Sequence, residues 1–129
     1  LNFYIMDIIG NYKNVLTKKY SDFKGRAGRT EYWLFVLVNV AISIVYQILV
    51  SVSGDNATAR LVISAIFGLF FLAILVPGLA ISVRRMHDIG KGGEWFFINF
   101  IPVIGGIWFL VLCIKEGEPT ANRFGEPQP

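Results

Sequence analysis

Three stretches of this chain carry no charged residue for long enough to cross a bilayer. Residues 34–52 ("LFVLVNVAISIVYQILVSV"), 61–83 and 95–114 are 19, 23 and 20 residues long. As helices rising 1.5 Å per residue they reach about 28–35 Å, against a hydrocarbon core of about 30 Å. One Lys, Arg or Asp at the centre of such a helix would cost about 2.5–3.5 kcal/mol on the insertion scale, and none is there. Of the 129 residues 54% are hydrophobic and only 16% charged, too apolar a mix for a short soluble chain to bury. The reading is an all-α integral membrane domain, 1–129, with three transmembrane helices and a polar tail over 115–129. The third run differs from the others. Asn99, Pro102, Gly105 and Gly106 interrupt it, so a re-entrant hairpin competes with a full span there.

The connections fit this plan. "SGDNATAR" is a short polar turn in which Asp55 or Asn56 can cap the second helix. Pro77-Gly78 falls inside the second run, tolerable where neighbouring groups satisfy the freed backbone. Before the first run, Ile5, Ile8, Ile9, Tyr12, Val15, Leu16, Tyr20 and Phe23 recur at helical steps, with Asn11, Lys13, Lys18 and Lys19 on other faces. This predicts an amphipathic helix over 5–23, lying in the headgroup plane or packing on the protein's own bundle. The five residues before Met6 have no basic start and no small-residue cleavage site, so they do not read as a signal sequence, and Met6 is a candidate start.

With three full spans, nine of the twelve Lys and Arg fall on one side, and only Arg60, Lys115 and Arg123 on the other. The positive-inside rule then puts the N-terminus in the cytoplasm and the tail outside. If the third run is a hairpin, the tail returns to the cytoplasm.

Most of the remaining charge sits in "SVRRMHDIGKGGEWFF", between the second and third runs. Arg84, Arg85 and His87 suit the negative end of a helix dipole, and Gly90 suits a left-handed helix stop. Together with Arg26, Arg29 and Lys91 they are candidates for a basic collar that holds anionic headgroups or another anionic ligand, with Asp88 and Glu31 partly neutralising it. Catalysis by His87 and Asp88 is the weaker reading, because adjacent helical residues point about 100° apart. In the "GRAGRTEYW" stretch Gly25 and Gly28 loosen the chain, Thr30 can cap the first span, and Tyr32 and Trp33 suit the membrane boundary. Along the first span Asn39, Ser43 and Gln47 form a polar stripe expected to face protein, while Ser64 and Gly68 permit close helix approach. No spacing of the single Cys113 and single His87 with other ligands makes a metal site. No residue pattern calls for a cofactor, and no nucleic-acid motif accompanies the basic stretch.

The motifs "FKGRAGRTEYW", "RRMHDIGKGGEW", "IPVIGGIW" and "NRFGEP", covering nearly the whole chain from about Met6, together resemble domain-of-unknown-function family 805. The resemblance implies a small, multi-pass protein of the bacterial inner membrane and supplies no activity. Two departures stand out: "CIKEGEPTANRFG" is more charged than the family's Gly/Pro-rich tail, and Glu94 replaces an uncharged residue. Three function classes follow. The first is a membrane protein acting through lipid or protein contacts, including a homo-oligomer or another membrane protein as partner. The second is a small oligomeric channel or transporter subunit, and the third a membrane-surface enzyme using His87. The first is favoured because the apolar runs contain no ionisable residue of the kind that lines ion paths.

Overall fold

A computed structural model describes residues 2–128, with side chains described from Asp7 onward. The elements are α1 (Asn2–Leu16), α2 (Arg29–Val52), α3 (Ala57–Asp88), a 3₁₀ segment (Gly93–Phe100) and α4 (Ile104–Ile114). There is no strand among the described residues, only an isolated bridge between Asn122 and Gly125.

Helices α2 and α3 form an antiparallel pair joined by a short turn. Asn56 caps α3 by accepting the Ala59 amide at 3.0 Å, as its position after the polar turn predicts. Their apolar windows have mean hydropathy 2.3 and 2.5, yet only 6% of each is buried within the chain. In a soluble protein such helices would form the core. Here Leu37, Ile44, Leu61, Leu69 and Leu72 face outward, a surface that needs hydrocarbon around it. At 32 residues α3 runs well past the apolar run. Its last turns carry Arg84, Arg85, His87 and Asp88 into the packed end of the molecule, where Val15, Tyr32, Phe35, Ile81, Met86, Phe109 and Leu112 form the core.

Pro77 lies inside α3 and has no N–H to offer the carbonyl of Ala73. That orphaned carbonyl accepts the hydroxyl of Tyr20 at 2.9 Å. The α3 terminus is closed by Gly90, whose φ of +81° few other residues adopt without strain. Gly90 N–H donates to the carbonyl of His87 and Lys91 N–H to that of Met86, the paired bonds of a Schellman stop.

The third apolar run is not one helix. It folds into the 3₁₀ segment and the 11-residue α4, about 16 Å long, which is too short to span. The reversal comes at Pro102, as the hairpin alternative requires. Val103 at φ +64° makes a γ-turn, with Ile104 N–H on the carbonyl of Pro102 at 2.7 Å. The arms close on Gly105, where any Cβ would collide with the carbonyl of Ile98, and Phe96 meets Phe109 edge to face at 5.8 Å. The chain therefore returns to the end of α3 from which it left. The tail lies at the same end as the loop before α2, not at the opposite end as a third full span would put it.

The leader helix is shorter than 5–23. It ends at Leu16, where Lys19 N–H reaches back to the Asn14 carbonyl and the Thr17 hydroxyl to that of Lys13. Tyr20 and Phe23 belong to the following loop, and the side chain of Ile5 lies outside the described residues. Its face packs on α2: Tyr12 stacks on Phe35 at 5.4 Å and donates to Asn39 at 2.7 Å, and Val15 is fully buried. Bundle packing, the second of the two sequence readings, describes α1.

Candidate functional site: a buried arginine cluster beside a lateral groove

Arg26, Arg84 and Arg85 are 3%, 1% and 0% exposed, far too buried to form an open collar. Each guanidinium is engaged within the chain. Arg26 Nε donates to Asp88 Oδ1 at 2.9 Å, and its remaining nitrogens reach the carbonyls of Asp88, Glu118, Thr120 and Gly125. Arg85 donates to Asp88 Oδ2 at 2.8 Å and to the carbonyls of Cys113, Lys115 and Ala27. Arg84 donates to Glu31 Oε2 and to the Asp22 carbonyl, and Lys19 pairs with the other Glu31 oxygen at 3.2 Å. Only Arg84 Nη2 has no partner among the described residues.

Three buried cations face two carboxylates, and helix ends make up the difference. The last carbonyls of α3 and α4 converge here, presenting the negative ends of two dipoles. Asp88 O accepts from Arg26 and from Glu118 N–H, and Cys113 O accepts from Arg85 and from Trp33 Nε1 at 3.2 Å. The arginines therefore cap two helices and tie the loop 17–28, the hairpin and the tail to α3. Thus Gly25 and Gly28 do not loosen the chain: Ala27 is fully buried and its N–H bonds the Arg84 carbonyl at 2.9 Å.

His87 and Asp88 do not pair. The His87 ring is 6% exposed, sits 2.8 Å from the Gly25 carbonyl through Nδ1, and stacks on Phe124 at 3.7 Å with planes 1° apart. Both Asp88 oxygens go to arginines, so no general base with an orienting carboxylate exists here. Phe124 and Asn122 were missed as site residues. Asn122 donates to the His87 carbonyl and to Glu118, and its side chain accepts the Phe124 amide. Their signal was the "NRFGEP" motif, quoted for the resemblance but given no role. Thr30 is also not the cap of α2: that position is Gly28, which has no side-chain bond.

Among the sequence candidates, Arg29 is exposed and Lys91 half-buried, its Nζ 4.2 Å over the Trp95 ring. Separately, α2, α3 and the 3₁₀ segment enclose a groove of about 770 Å³, open to the side, which neither cation lines. Phe35, Val36, Asn39, Val40 and Ser43 wall it from α2, with residues of α3 between Phe71 and Ser82 opposite and Phe96 contributed by the 3₁₀ segment. Asn39 and Ser43 of the polar stripe thus reach this groove, while Gln47 lies beyond it on an exposed face.

The family described as "Protein of unknown function (DUF805)" matches residues 20–126. The chain belongs to this family. It is 36% identical over 114 residues to inner membrane protein YhaI of Escherichia coli strain K12, covering 88% of this chain and 91% of the relative. It is 36% identical over 119 residues to inner membrane protein YhaH of the same strain, covering 92% and 94%. Against the uncharacterized protein YiiR of that strain, identity is 32% over 91 residues, covering 69% and 58%. No solved structure matches the chain significantly. The DUF805 match takes in most of the loop, both long helices, the hairpin and most of the tail, so it contains all three buried arginines with Glu31 and Asp88. The family carries no assigned activity, and the relatives' names state only a membrane location.

Proposed function

We propose that this DUF805 chain is a lipid-binding protein of the bacterial inner membrane, with both termini in the cytoplasm and an anionic phospholipid of the inner leaflet in its lateral groove. The observation that carries the proposal is the apolar lateral groove itself, with the exposed Arg29 at the foot of the α2 face that walls it; Arg29 also borders a small polar pocket with Glu116, Gly117 and Glu118. At 100° per residue, Arg29, Val36, Val40 and Ser43 fall within about 60° on α2. Arg29 is separated from Ser43 by about 21 Å of helix, close to one headgroup layer plus half of a 30 Å core. A phosphate at Arg29, with its planar fork of donors, leaves an acyl chain lying along an apolar wall. Lys91, held over the ring of Trp95 at the start of the 3₁₀ segment, offers a second cation at the same end of the molecule.

The orientation has its own support. Of the twelve Lys and Arg, only Arg60 lies at the α2–α3 turn; the rest gather at the packed end with the loop, the α3 terminus and the tail. Cytoplasmic segments carry that excess. The buried, carbonyl-bound His87 favours this binding role over surface catalysis.

The experiment is native mass spectrometry of the protein extracted in mild detergent. The wild-type chain retains phosphatidylglycerol or cardiolipin, and Arg29→Gln with Lys91→Gln loses most of it, while Arg123→Gln does not. Full retention by the double variant refutes the lipid site.

A further inference from the structure

We infer that this chain is a wedge in the bilayer and gathers where the membrane is convex on the side of its packed end. The inference goes beyond the lipid groove and rests only on the membrane placement of α2 and α3. The hairpin carries it. Its 3₁₀ arm has 8 residues and α4 has 11. At about 2.0 and 1.5 Å per residue both arms are about 16 Å long, against about 15 Å for half of a 30 Å core. Lys91 and Glu94 stand at the foot of one arm and Lys115 and Glu116 at the foot of the other, with no charged residue between Glu94 and Lys115. The hairpin thus fits the depth of a single leaflet, its turn at Pro102 and Val103 near the midplane. Phe97, Phe100, Val103, Ile104, Ile107 and Val111 are exposed on it, apolar groups that suit acyl chains.

The two halves of the molecule therefore differ in width. Next to the packed end, α2, α3 and both hairpin arms stand side by side, and α1 lies against α2 through Phe35 and Asn39. Both residues precede Ser43, the midpoint of the apolar run 34–52. In the far half the described residues supply α2 and α3, touching through Tyr46, Ser64 and Phe67. At about 10 Å per helix, four sections displace roughly twice the lipid that two do. The wedge is also braced. Gly105 closes on the Ile98 carbonyl, Phe96 meets Phe109, and Arg85 of α3 holds the Cys113 carbonyl at the end of α4. A bilayer accommodates a rigid mismatch at least cost where its own shape fits it, and shallow apolar insertions favour curved surfaces. More protein in one leaflet fits a membrane convex on that side. With the packed end in the cytoplasm, that is a membrane folded inward.

The test uses the full chain in giant vesicles of phosphatidylethanolamine and phosphatidylglycerol, from which a narrow tube is drawn. The exposed positions Ala121 in the tail and Asp55 in the α2–α3 turn are changed singly, Ala121→Cys and Asp55→Cys. A membrane-impermeant dye added outside then marks molecules of one orientation in each variant. The native chain is the background, since Cys113 is fully buried. Tail-labelled molecules have their packed end on the convex face of the tube and should be enriched there several-fold over the parent vesicle, while turn-labelled molecules should be depleted. Phe97→Ala with Phe100→Ala thins the wide half and should weaken the enrichment. Ile48→Ala with Ile66→Ala thins the narrow half and should strengthen it. Equal density of both labels in tube and vesicle, or enrichment of both, overturns the inference and leaves the lipid site to its own test of lipid retention. Complete labelling from outside at both positions overturns the membrane placement as well.

Discussion

Asp88 holds two buried guanidiniums at once, and that makes it the residue whose neutralisation should matter most. A buried ion pair is weak evidence of stability, since desolvation cancels much of the attraction. Removing one partner is different, because it strands the other charge. Asp88→Asn keeps the shape while leaving Arg26 and Arg85 without a carboxylate. It should cost about 3–5 kcal/mol, read as a large fall in the detergent melting temperature. His87→Gln should cost far less: it forfeits the stack on Phe124, but a Gln amide can still reach the Gly25 carbonyl. A His87→Gln variant as unstable as Asp88→Asn would mean that the cluster depends on the ring and not on the ion pairs. The residue types here were legible from sequence, including the helix-terminal preference of Arg84 and Arg85. Their burial was not, because it depends on carbonyls of Cys113, Lys115, Glu118 and Gly125 that no local pattern predicts.

At the scale of elements, two joints decide how the helices meet. The first is the bond from Tyr20 to the carbonyl that Pro77 leaves open. Tyr20→Phe should destabilise by about 0.6 kcal/mol, the usual worth of such a bond in a membrane, and up to about 1.7. In a Pro77→Ala background the helix satisfies Ala73 itself, so the same change should be nearly silent; equal losses in both backgrounds would refute the pairing. The second joint is Gly105. Gly105→Ala drives a methyl into the Ile98 carbonyl and should open the hairpin, at about 1–3 kcal/mol. Gly106→Ala, with open space at its Cβ, should be neutral, and thermal unfolding of the two variants side by side separates these outcomes. A proline inside an apolar run announces an orphan carbonyl. It does not announce that a tyrosine 53 residues earlier will take it.

For the whole molecule, the hairpin sets the topology. Reporters active on only one side of the membrane, fused before α1 and after the tail, should both give cytoplasmic signals. An external signal from the C-terminal fusion would restore a third full span. The packed end should also resist denaturation as a unit. Loop, hairpin and tail all bind Arg26 or Arg85, so a truncation after Lys115 removes the acceptors at Glu118, Thr120 and Gly125 and should destabilise the distant loop. Proteolysis at Lys24, compared between the full and truncated chains, reads that coupling.

What the sequence determined by itself was the membrane. Charge-free runs of 19 and 23 residues admit helices in hydrocarbon and little else, since backbone groups there must be satisfied within the segment. The stop at Gly90, the cap at Asn56 and the break at Pro102 are local effects of single side chains, and they too could be read along the chain. Three matters waited for the tertiary structure: whether the third run crosses or turns back, whether the leader helix lies on lipid or on α2, and whether the arginines face headgroups or carbonyls. Each compares two environments of similar polarity for the same residues. The choice between them comes from partners that no local pattern names: Ile98 against Gly105 for the third run, Asn39, 27 residues from Tyr12, for the leader helix, and the Asp88 carboxylate and Thr120 carbonyl, 62 and 94 residues from Arg26, for the arginines.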